Sequence, residues 1–297
     1  MGNLGYACIN MTLNQQGIKT GRTLRKATLE SNGIPMASQI GLDNVKDLKT
    51  ILSWNLEHHI YFFRLGSDVF PWGDKIGIHH FPHYNQIVST LKECGNIISQ
   101  NNMRVTFHPG QFNILSSNKE SVVENTISDL EQHALVFDLM GLSRTPFNKI
   151  NIHLGATYGD KITAADTWCR NFEHLSDSVK SRLTVENDDK ANCYSVQDLY
   201  DLIYKRVGVP IVFDYHHHKF CDGGLTEQQT LELAISTWPD GIRPVVHYSE
   251  SVTPDKLNRG HSDYIESYID TYGHDVDIMI EAKAKELALI KYREKYQ

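Results

Sequence analysis

The stretch KINIHL at residues 149–154 decides the fold. Its isoleucine and leucine side chains alternate with Asn151 and His153. Because successive side chains of a β-strand point to opposite sides, this period of two predicts a strand with one apolar and one polar face. The segment RLTVEN at residues 182–187 repeats the pattern, with Glu186 on the polar face. In a barrel, the apolar faces would pack against helices and the polar faces would point inward.

Outward from these two segments, strand-like segments alternate with longer amphipathic helical segments along the chain. This alternation is typical of a parallel sheet covered by helices. The sequence predicts eight strands: Leu4–Ile9, Ile60–Leu65, Arg104–His108, Lys149–Leu154, Arg182–Glu186, Pro210–Asp214, Val245–Tyr248 and Val276–Glu281. The predicted helices include Val45–Glu57, His83–Gln100, Glu120–Met140, Val196–Arg206, Glu227–Thr237 and Ala282–Tyr296. Together they predict an α/β protein, a single (β/α)8 TIM barrel spanning residues 1–297 as one domain.

The composition is that of a soluble globular protein, with 40% hydrophobic and 22% charged residues. No apolar run approaches the roughly 20 residues needed to cross a bilayer, so we expect no membrane partner. The start, MGNLGYACINM, has no basic segment leading into an apolar one. No targeting signal is therefore visible, and we expect an intracellular protein.

Charge and cysteine content exclude two further classes. The net charge of −7 argues against a protein that binds nucleic acid over its whole surface, because such binding depends on Lys and Arg. Bound divalent cations could supply a local mechanism instead. The five cysteines contain no CxxC pair, so neither a disulfide framework nor a thiolate zinc site is indicated.

In six consecutive predicted strands, the last residue on the polar face is of one chemical type. These residues are His108, His153, Glu186, Asp214, His247 and Glu281, and two nearby loops add His217 and His261. A lone histidine at a strand end is usually a hydrogen-bonding residue. A series of metal-ligand types at the carboxyl ends of barrel strands instead predicts a metal site there. Eight ligands exceed the four of a closed zinc site, so we predict two or three divalent ions, as is typical of phosphate-ester cleavage.

Motifs spread over the chain carry a resemblance. They are LGYACIN, FRLGSDVFPWG, TFHPGQFN, INIHLGATYGDK, LTVENDD, PIVFDYHHHKF, VVHYSES, RGHSDYI and IMIEAKAKE. From about Leu4 to Glu286 the chain thereby resembles the ultraviolet damage endonuclease family. The resemblance implies a barrel nuclease related to class II abasic-site endonucleases, which cuts damaged double-stranded DNA immediately 5′ to a photolesion and leaves a 3′-hydroxyl. It also implies Mn²⁺ as the favoured metal, with Zn²⁺ and Fe²⁺ as alternatives that suit these ligands.

The resemblance assigns roles to individual residues. It places the metal ligands on the eight positions above and selects His217 over His216 and His218. Gln111 and Phe112 match the pair that inserts into the helix opposite the damage, partly offsetting the cost of unstacking. The alternative is that Phe112 belongs to the core and Gln111 to an ordinary loop.

Four more residues are candidates for contact with DNA. Tyr6 and Asn10 match residues lining the lesion pocket, where an aromatic face could stack on extruded bases, although a buried tyrosine is an open alternative. Arg64 and Ser67, at the end of the second predicted strand and in the loop after it, are expected to help bind backbone phosphate, although Arg64 could instead form a structural ion pair. Val245 departs from the family, since many relatives carry a lysine there. We expect this change to alter metal occupancy, rate or lesion range without removing activity.

The resulting hypothesis is a metal-dependent DNA repair endonuclease acting as a monomer. Metal-activated water would attack the phosphate 5′ to a cyclobutane pyrimidine dimer, a 6-4 photoproduct or an abasic site, with Glu186 and Glu281 orienting the water. Three alternatives stay open: an enzyme acting mainly at abasic sites, a sugar isomerase on a similar barrel, and a metal-containing module that binds damage without cutting. The HPGQF motif argues against the isomerase.

Overall fold

The computed structural model describes residues 2–253 and 258–297. Within these ranges, eight parallel strands pair in chain order and close into a barrel. The strands are β1 (Leu4–Ala7), β2 (Phe62–Leu65), β3 (Arg104–Phe107), β4 (Ile150–His153), β5 (Leu183–Glu186), β6 (Ile211–Asp214), β7 (Val245–Tyr248) and β8 (Asp277–Ile280). Each strand lies within its predicted segment, so the predicted TIM barrel is confirmed.

Helices follow the strands and surround the barrel. Those in the described ranges are α1 (Met11–Asn14), α2 (Lys26–Glu57), α3 (Gly73–Ile76), α4 (Tyr84–Gln100), α5 (Glu120–Met140), α6 (Lys161–Phe172), α7 (Asp177–Lys180), α8 (Val196–Leu199), α9 (Lys205–Val207), α10 (Tyr215–His218), α11 (Glu227–Ile235) and α12 (Glu286–Tyr296). A π-helical turn, Tyr200–Tyr204, joins α8 to α9. In the same ranges, none of the helices has both the length and the apolar character that crossing a bilayer requires.

Two helix boundaries differ from the prediction for backbone reasons. The helix predicted to start at Val45 extends back to Lys26, and it consists of two helical segments that meet at a kink, where Gly33 has a non-helical φ of 70° and Pro35 follows. The last helix begins at Glu286 rather than at Ala282. The other predicted helices agree with the structure to within two residues at each end.

The strand alternation separates two cores. Val105 and Phe107 belong to the large hydrophobic core between the barrel and the helices, whereas Arg104 and Thr106 of the same strand are buried on the opposite face. Inward-facing apolar side chains form a smaller cluster of their own. Its members are Ala7, Phe62, Val212, Trp238, Val245 and Met279. The predicted inward face is therefore partly apolar as well as polar.

A buried ion pair between Arg104 and Asp277 closes the amino end of the barrel interior. Nη1 of Arg104 lies 2.9 Å from Oδ2 of Asp277, and the guanidinium also donates to three backbone carbonyls. Oδ1 of Asp277 accepts from the backbone N–H of Asn3 at 2.7 Å. No polar side-chain atom of the pair is among the partnerless buried atoms of the described residues. This end of the barrel is saturated with hydrogen bonds, and we call the pair the floor pair.

Candidate metal centre

Polar residues at the carboxyl ends of the strands lie close together because the strand pairing of the barrel places these ends side by side. His153 of β4 lies opposite Glu186 of β5, and Asp214 of β6 lies opposite His247 of β7. All four side chains belong to the polar faces that the alternation points inward. They approach one another across the interior and form the carboxyl-end cluster, together with His108, His217 and Glu281.

Glu186 lies at the centre of this cluster and is 1% exposed. Its Oε2 lies 3.0 Å from Nε2 of His108 and 3.0 Å from Nδ1 of His247. Its Oε1 lies 3.4 Å from Nδ1 of His217. A single carboxylate thus contacts imidazoles from three different parts of the barrel, which suits a ligand shared between two ions.

A helix cap places His217 in the cluster. Asp214 ends β6 and is the N-cap of α10, where its Oδ1 accepts from the backbone N–H of His217 at 2.7 Å. This cap turns the chain so that the His217 ring faces back toward Glu186. The ring of His216 instead contacts the ring of Phe220, and the ring of His218 contacts the ring of Phe213. The structure therefore brings His217, and not its two neighbours, to the carboxylates.

Glu281 and His261 form the edge of the cluster. Oε1 of Glu281 lies 3.2 Å from Nδ1 of His247 and also pairs with the guanidinium of Arg64. His261 lies farther out, with its Nδ1 2.8 Å from the backbone oxygen of Glu281 and 3.9 Å from Oε2. A short antiparallel bridge between Ser251 and His261 holds that loop. Arg64 thus forms the ion pair that was the alternative to phosphate binding.

Three groups of side chains have ligand atoms within 4.8 Å of one another. They are His108, His153 and Glu186; Glu186, Asp214 and His217; and Asp214, His247 and Glu281. Each of the two inner carboxylates belongs to two groups, as bridging ligands do. These groups contain seven of the eight predicted ligands and leave out only His261 among the described residues.

Unpartnered buried atoms indicate that the cluster fits cations. Oδ2 of Asp214, Nδ1 of His153 and Nδ1 of His247 are buried without a hydrogen bond. Nδ1 of His247 lies near two carboxylate oxygens, yet its geometry with them is not that of a hydrogen bond. Because buried polar groups are costly when unpaired, several such atoms facing one another suit a site that binds positive ions. The donor set of imidazoles and carboxylates fits divalent transition metals.

The protonation states of the cluster differ from residue to residue. Burial lowers the pKa of His247 to about 4 and raises the pKa of Asp214 to about 6. Burial also acts on Glu186 and His153, but opposite charges outweigh it. The imidazoles hold the pKa of Glu186 well below its usual value, and the charges of Glu186 and Asp188 raise the pKa of His153 to about 9. Metal binding would therefore release a proton at His153 near neutral pH.

Two supporting residues were missed in the sequence. Oδ1 of Asp188 lies 3.2 Å from Nδ1 of His153, and Nδ2 of Asn151 donates to Oε2 of Glu186. Both positions carried a signal, because Asn151 alternates with His153 and Asp188 follows Glu186 by two residues. Groups around metal ligands orient them and tune their basicity, so these two residues belong to the site.

An amine also reaches the cluster, although Val245 lies where the family lysine was expected. Nζ of Lys149 lies 3.2 Å from Nε2 of His247, and burial lowers the pKa of Lys149 to about 7. Lys149 precedes β4 and is fully buried. By the alternation of KINIHL, Lys149 shares the inward face with Asn151 and His153, and this was the signal in the sequence that could have found it.

Gln111 and Phe112 lie at the tip of a turn after β3. Both are exposed, and Phe112 is 81% exposed. The turn is closed by Asn113, whose backbone N–H donates to the oxygen of Gly110 at 3.0 Å and whose Nδ2 donates to Asp129 of α5 at 2.8 Å. Phe112 is therefore not a core residue, and the turn presents both side chains to solvent.

Tyr6 and Asn10 lie elsewhere. Tyr6 faces α2, is fully buried, and donates its hydroxyl hydrogen to Oδ1 of Asn55 at 2.7 Å. Asn10 donates to the Tyr6 hydroxyl at 3.0 Å and caps α1. In this arrangement Tyr6 has no exposed face for a base, because it pairs in register with outward-facing Phe63. The Ser67 hydroxyl donates to the backbone oxygen of His108, directly after β3, at 3.1 Å.

Sequence comparison gives consistent relatives. The family described as UV-endonuclease UvdE matches residues 2–297. The UV-damage endonuclease of Schizosaccharomyces pombe is 36% identical over 311 residues, which cover 100% of this chain and 51% of that protein. The UV DNA damage endonuclease of Clostridium perfringens is 34% identical and covers 97% of this chain and 69% of that protein. The chain thus spans about half the length of the first relative and somewhat over two thirds of the second.

Solved structures resemble it at two levels. The crystal structure of SacUVDE matches with a TM-score of 0.87 at 31% identity, covering 99% of this chain and 98% of that chain. A D-psicose 3-epimerase from Clostridium cellulolyticum H10 matches with a TM-score of 0.53 at 12% identity, covering 79% and 78%. At that identity the epimerase likeness shows a shared barrel fold alone.

Proposed function

This chain belongs to the UV-endonuclease UvdE family, and from that premise we propose that it is a metal-dependent DNA repair endonuclease. Its substrate is duplex DNA carrying ultraviolet photolesions. It hydrolyses the phosphodiester immediately 5′ to the lesion and leaves a 3′-hydroxyl. The observation that carries this proposal is the set of three ligand groups joined through Glu186 and Asp214.

The cluster is suited to phosphate chemistry. The residues that would hold the ions are His108, His153, Glu186, Asp214, His217, His247, His261 and Glu281. Two or three divalent ions, with Mn²⁺ as the first choice and Zn²⁺ or Fe²⁺ as alternatives, would lower the pKa of the attacking water and stabilise the departing 3′-oxygen. Because Glu186 and Asp214 are each shared by two ligand groups, the cluster would hold more than one ion, which suits activation of water and stabilisation of the leaving oxygen in phosphodiester hydrolysis.

Two carboxylates are assigned a further role. Glu186 and Glu281 are ionised, since the imidazoles and Arg64 respectively lower their pKa values against the effect of burial. An ionised carboxylate accepts hydrogen bonds only, so either residue can orient a water molecule by accepting its hydrogen. Arg64 fixes one oxygen of Glu281 and leaves the other free for this task.

The exposed turn carrying Gln111 and Phe112 supports recognition of a distorted duplex. Phe112 is mostly solvent-exposed without DNA, and burying that ring between bases would recover apolar surface. Unstacking costs a few kcal/mol per step and less at a damaged base, which gives selectivity for lesions. Anchoring through Asn113 to α5 holds the turn ready to insert.

The test uses a 5′-labelled duplex with one cyclobutane pyrimidine dimer. Incubation with Mn²⁺ is expected to give one product ending immediately 5′ to the dimer, and chelator is expected to abolish it. Parallel duplexes carry a 6-4 photoproduct, an abasic site or no lesion. Cleavage at the abasic site alone would identify the protein as an abasic-site endonuclease instead. Tight lesion binding without any product in Mn²⁺ would identify a damage-binding module and overturn the nuclease.

A further inference from the structure

The chain contains the same strained turn twice. Residues 157–160 read Thr-Tyr-Gly-Asp and residues 271–274 read Thr-Tyr-Gly-His. In each, the backbone N–H of the fourth residue donates to the threonine oxygen at 2.9 Å. The tyrosine and glycine both have positive φ, 49° and 84° in the first turn and 51° and 81° in the second. This conformation favours Asn or Gly at the first central position, so a tyrosine there is disfavoured in both turns.

In the second turn, contacts account for the tyrosine. The hydroxyl of Tyr272 donates to Oε1 of Glu227 at 3.0 Å, and its ring packs against the hydrophobic core. Asp270 accepts from its backbone N–H at 2.7 Å. Tyr272 therefore joins the turn to α11, and these contacts offset the unfavourable backbone.

In the first turn, no such contact exists within the described residues. Tyr158 is 51% exposed, and its ring makes no hydrogen bond, ring contact or cation contact there. The large core does not include it. A residue with a disfavoured backbone conformation that makes no such contact among the described residues is a candidate for contact with a ligand.

The position of Tyr158 indicates which ligand. The turn follows β4 five residues after His153, and Ala156 lines a cavity of about 390 Å³ with His153, His217, Lys190 and Gln111. The cavity therefore joins the cluster to the turn that carries Phe112. A nucleic acid strand placed on the cluster passes this rim, which Lys190 lines together with Asp188 and Asp189.

The turn is also held firmly. Asp160 is the N-cap of α6, with its Oδ1 accepting from the backbone N–H of Ile162 at 2.9 Å. Oγ of Ser116, in the loop that follows Phe112, donates to the backbone oxygen of Leu154 at 2.9 Å. The loops after β3 and β4 are thus connected, and Tyr158 is presented from a fixed base.

We propose that Tyr158 is a DNA-contacting residue whose ring stacks on a nucleobase of the damaged duplex, beside the site where Phe112 inserts. This proposal rests on the proposed function, because it takes duplex DNA as the substrate. Aromatic faces stack on any base, so the contact strengthens binding without reading sequence. Tyr158 and Phe112 then hold the distorted duplex from two connected loops.

The experiment compares Tyr158→Asn with Tyr272→Asn, the same change in the matched turn. Binding in Mn²⁺ is measured by fluorescence anisotropy on a duplex with one dimer whose phosphodiester 5′ to the dimer is replaced by an uncleavable linkage, and thermal midpoints are measured in parallel. Tyr158→Asn is expected to weaken binding roughly 5- to 30-fold. Its thermal midpoint should stay level or rise, because Asn tolerates the positive φ. Tyr158→Phe should bind like the wild type, since stacking needs the ring and not the hydroxyl.

Tyr272→Asn is expected to do the opposite: a lower thermal midpoint with unchanged affinity of the folded protein. Wild-type affinity in Tyr158→Asn would overturn the inference, and so would a fall in its thermal midpoint equal to that of Tyr272→Asn. Absence of DNA binding by the wild type would overturn it as well. Incision of the corresponding duplex with a normal phosphodiester is scored separately in Mn²⁺, so that a wild type that binds but does not cut refutes the nuclease alone.

Discussion

The two ends of the barrel interior bury charge in contrasting ways. At the amino end, the floor pair of Arg104 and Asp277 is less than 2% exposed and leaves none of its described side-chain atoms without a partner. At the carboxyl end, Glu186 and Asp214 are equally buried, yet Asp214 and His247 each keep an unpartnered atom. Burial is the same at both ends, and hydrogen-bond saturation differs.

This difference separates structure from function. A buried charge whose partners all come from the chain closes a fold, because its desolvation is compensated within the protein. A buried charge that lies among polar atoms without hydrogen-bond partners remains energetically costly until a ligand binds to them. The floor pair therefore serves stability, and the carboxyl-end cluster serves a ligand. If the two ends are independent, a change at the floor pair should alter stability and leave incision unchanged, and a change in the cluster should alter incision.

The largest effect is expected from Glu186→Gln. The amide keeps the shape of the side chain but loses the charge shared by two ligand groups, so incision in Mn²⁺ should fall by roughly 1,000-fold or more, about 4 kcal/mol in barrier. The measurement is single-turnover incision of the dimer duplex. Glu266→Gln, a surface carboxylate change, is the control and should cut like the wild type. A Glu186→Gln protein with a tenth of wild-type activity would contradict a central role.

At the other end, Asp277→Asn should lower the free energy of unfolding by about 3–5 kcal/mol, because it leaves the Arg104 guanidinium buried without a counter-charge. Urea denaturation in chelator measures this loss. Asp275→Asn removes the exposed partner of Arg243, which also contacts Asp277, and should cost less than about 1 kcal/mol. Incision per folded molecule should be unchanged in both variants. A specific loss of incision in folded Asp277→Asn would show that the two ends are not independent.

The period of two explains how much of this could be read from the sequence. Alternation in strands such as KINIHL places each side chain on a face, so the barrel, its inward polar residues and the meeting of strand-end ligands all followed. The same alternation predicts that Val245 faces inward, and it does lie in the inward apolar cluster.

Alternation does not reveal what a side chain meets across the interior. Lys149 was on the predicted inward face, but its contact with His247 depends on how far two strands on different sides of the barrel reach. Tyr6 shows a limit of motif matching. Its motif matches a position that lines the lesion pocket in the family, but in this structure Tyr6 pairs in register with outward-facing Phe63 and is fully buried.

A smaller effect is expected from metal itself. Mn²⁺ at 100 times its dissociation constant should stabilise the wild type by about 2.7 kcal/mol, since it binds the folded chain alone. Thermal or urea unfolding with and without Mn²⁺ measures the gain. Asp277→Asn should show the same gain as the wild type, because the floor pair and the cluster do not share partners. Glu186→Gln should show much less. Equal gains in all three proteins would place the ion outside the cluster.

The smallest effect concerns Asp214 in metal-free protein. Its folded pKa of about 6 lies above its usual value of 3.8, so the fold favours the neutral acid. That contribution to stability is complete below pH 3.8 and is lost as the pH rises through 6.

Asp214→Asn keeps an uncharged group that still accepts from the His217 N–H. In chelator, the variant should therefore gain on the wild type as the pH rises from 4 to 7, reaching about 1–2 kcal/mol. Urea denaturation at several pH values measures the difference, and Mn²⁺ should reverse its sign by favouring the wild-type carboxylate. A difference that stays constant with pH would mean that Asp214 is compensated by the chain, as the floor pair is, and the contrast between the two ends would not hold at this residue.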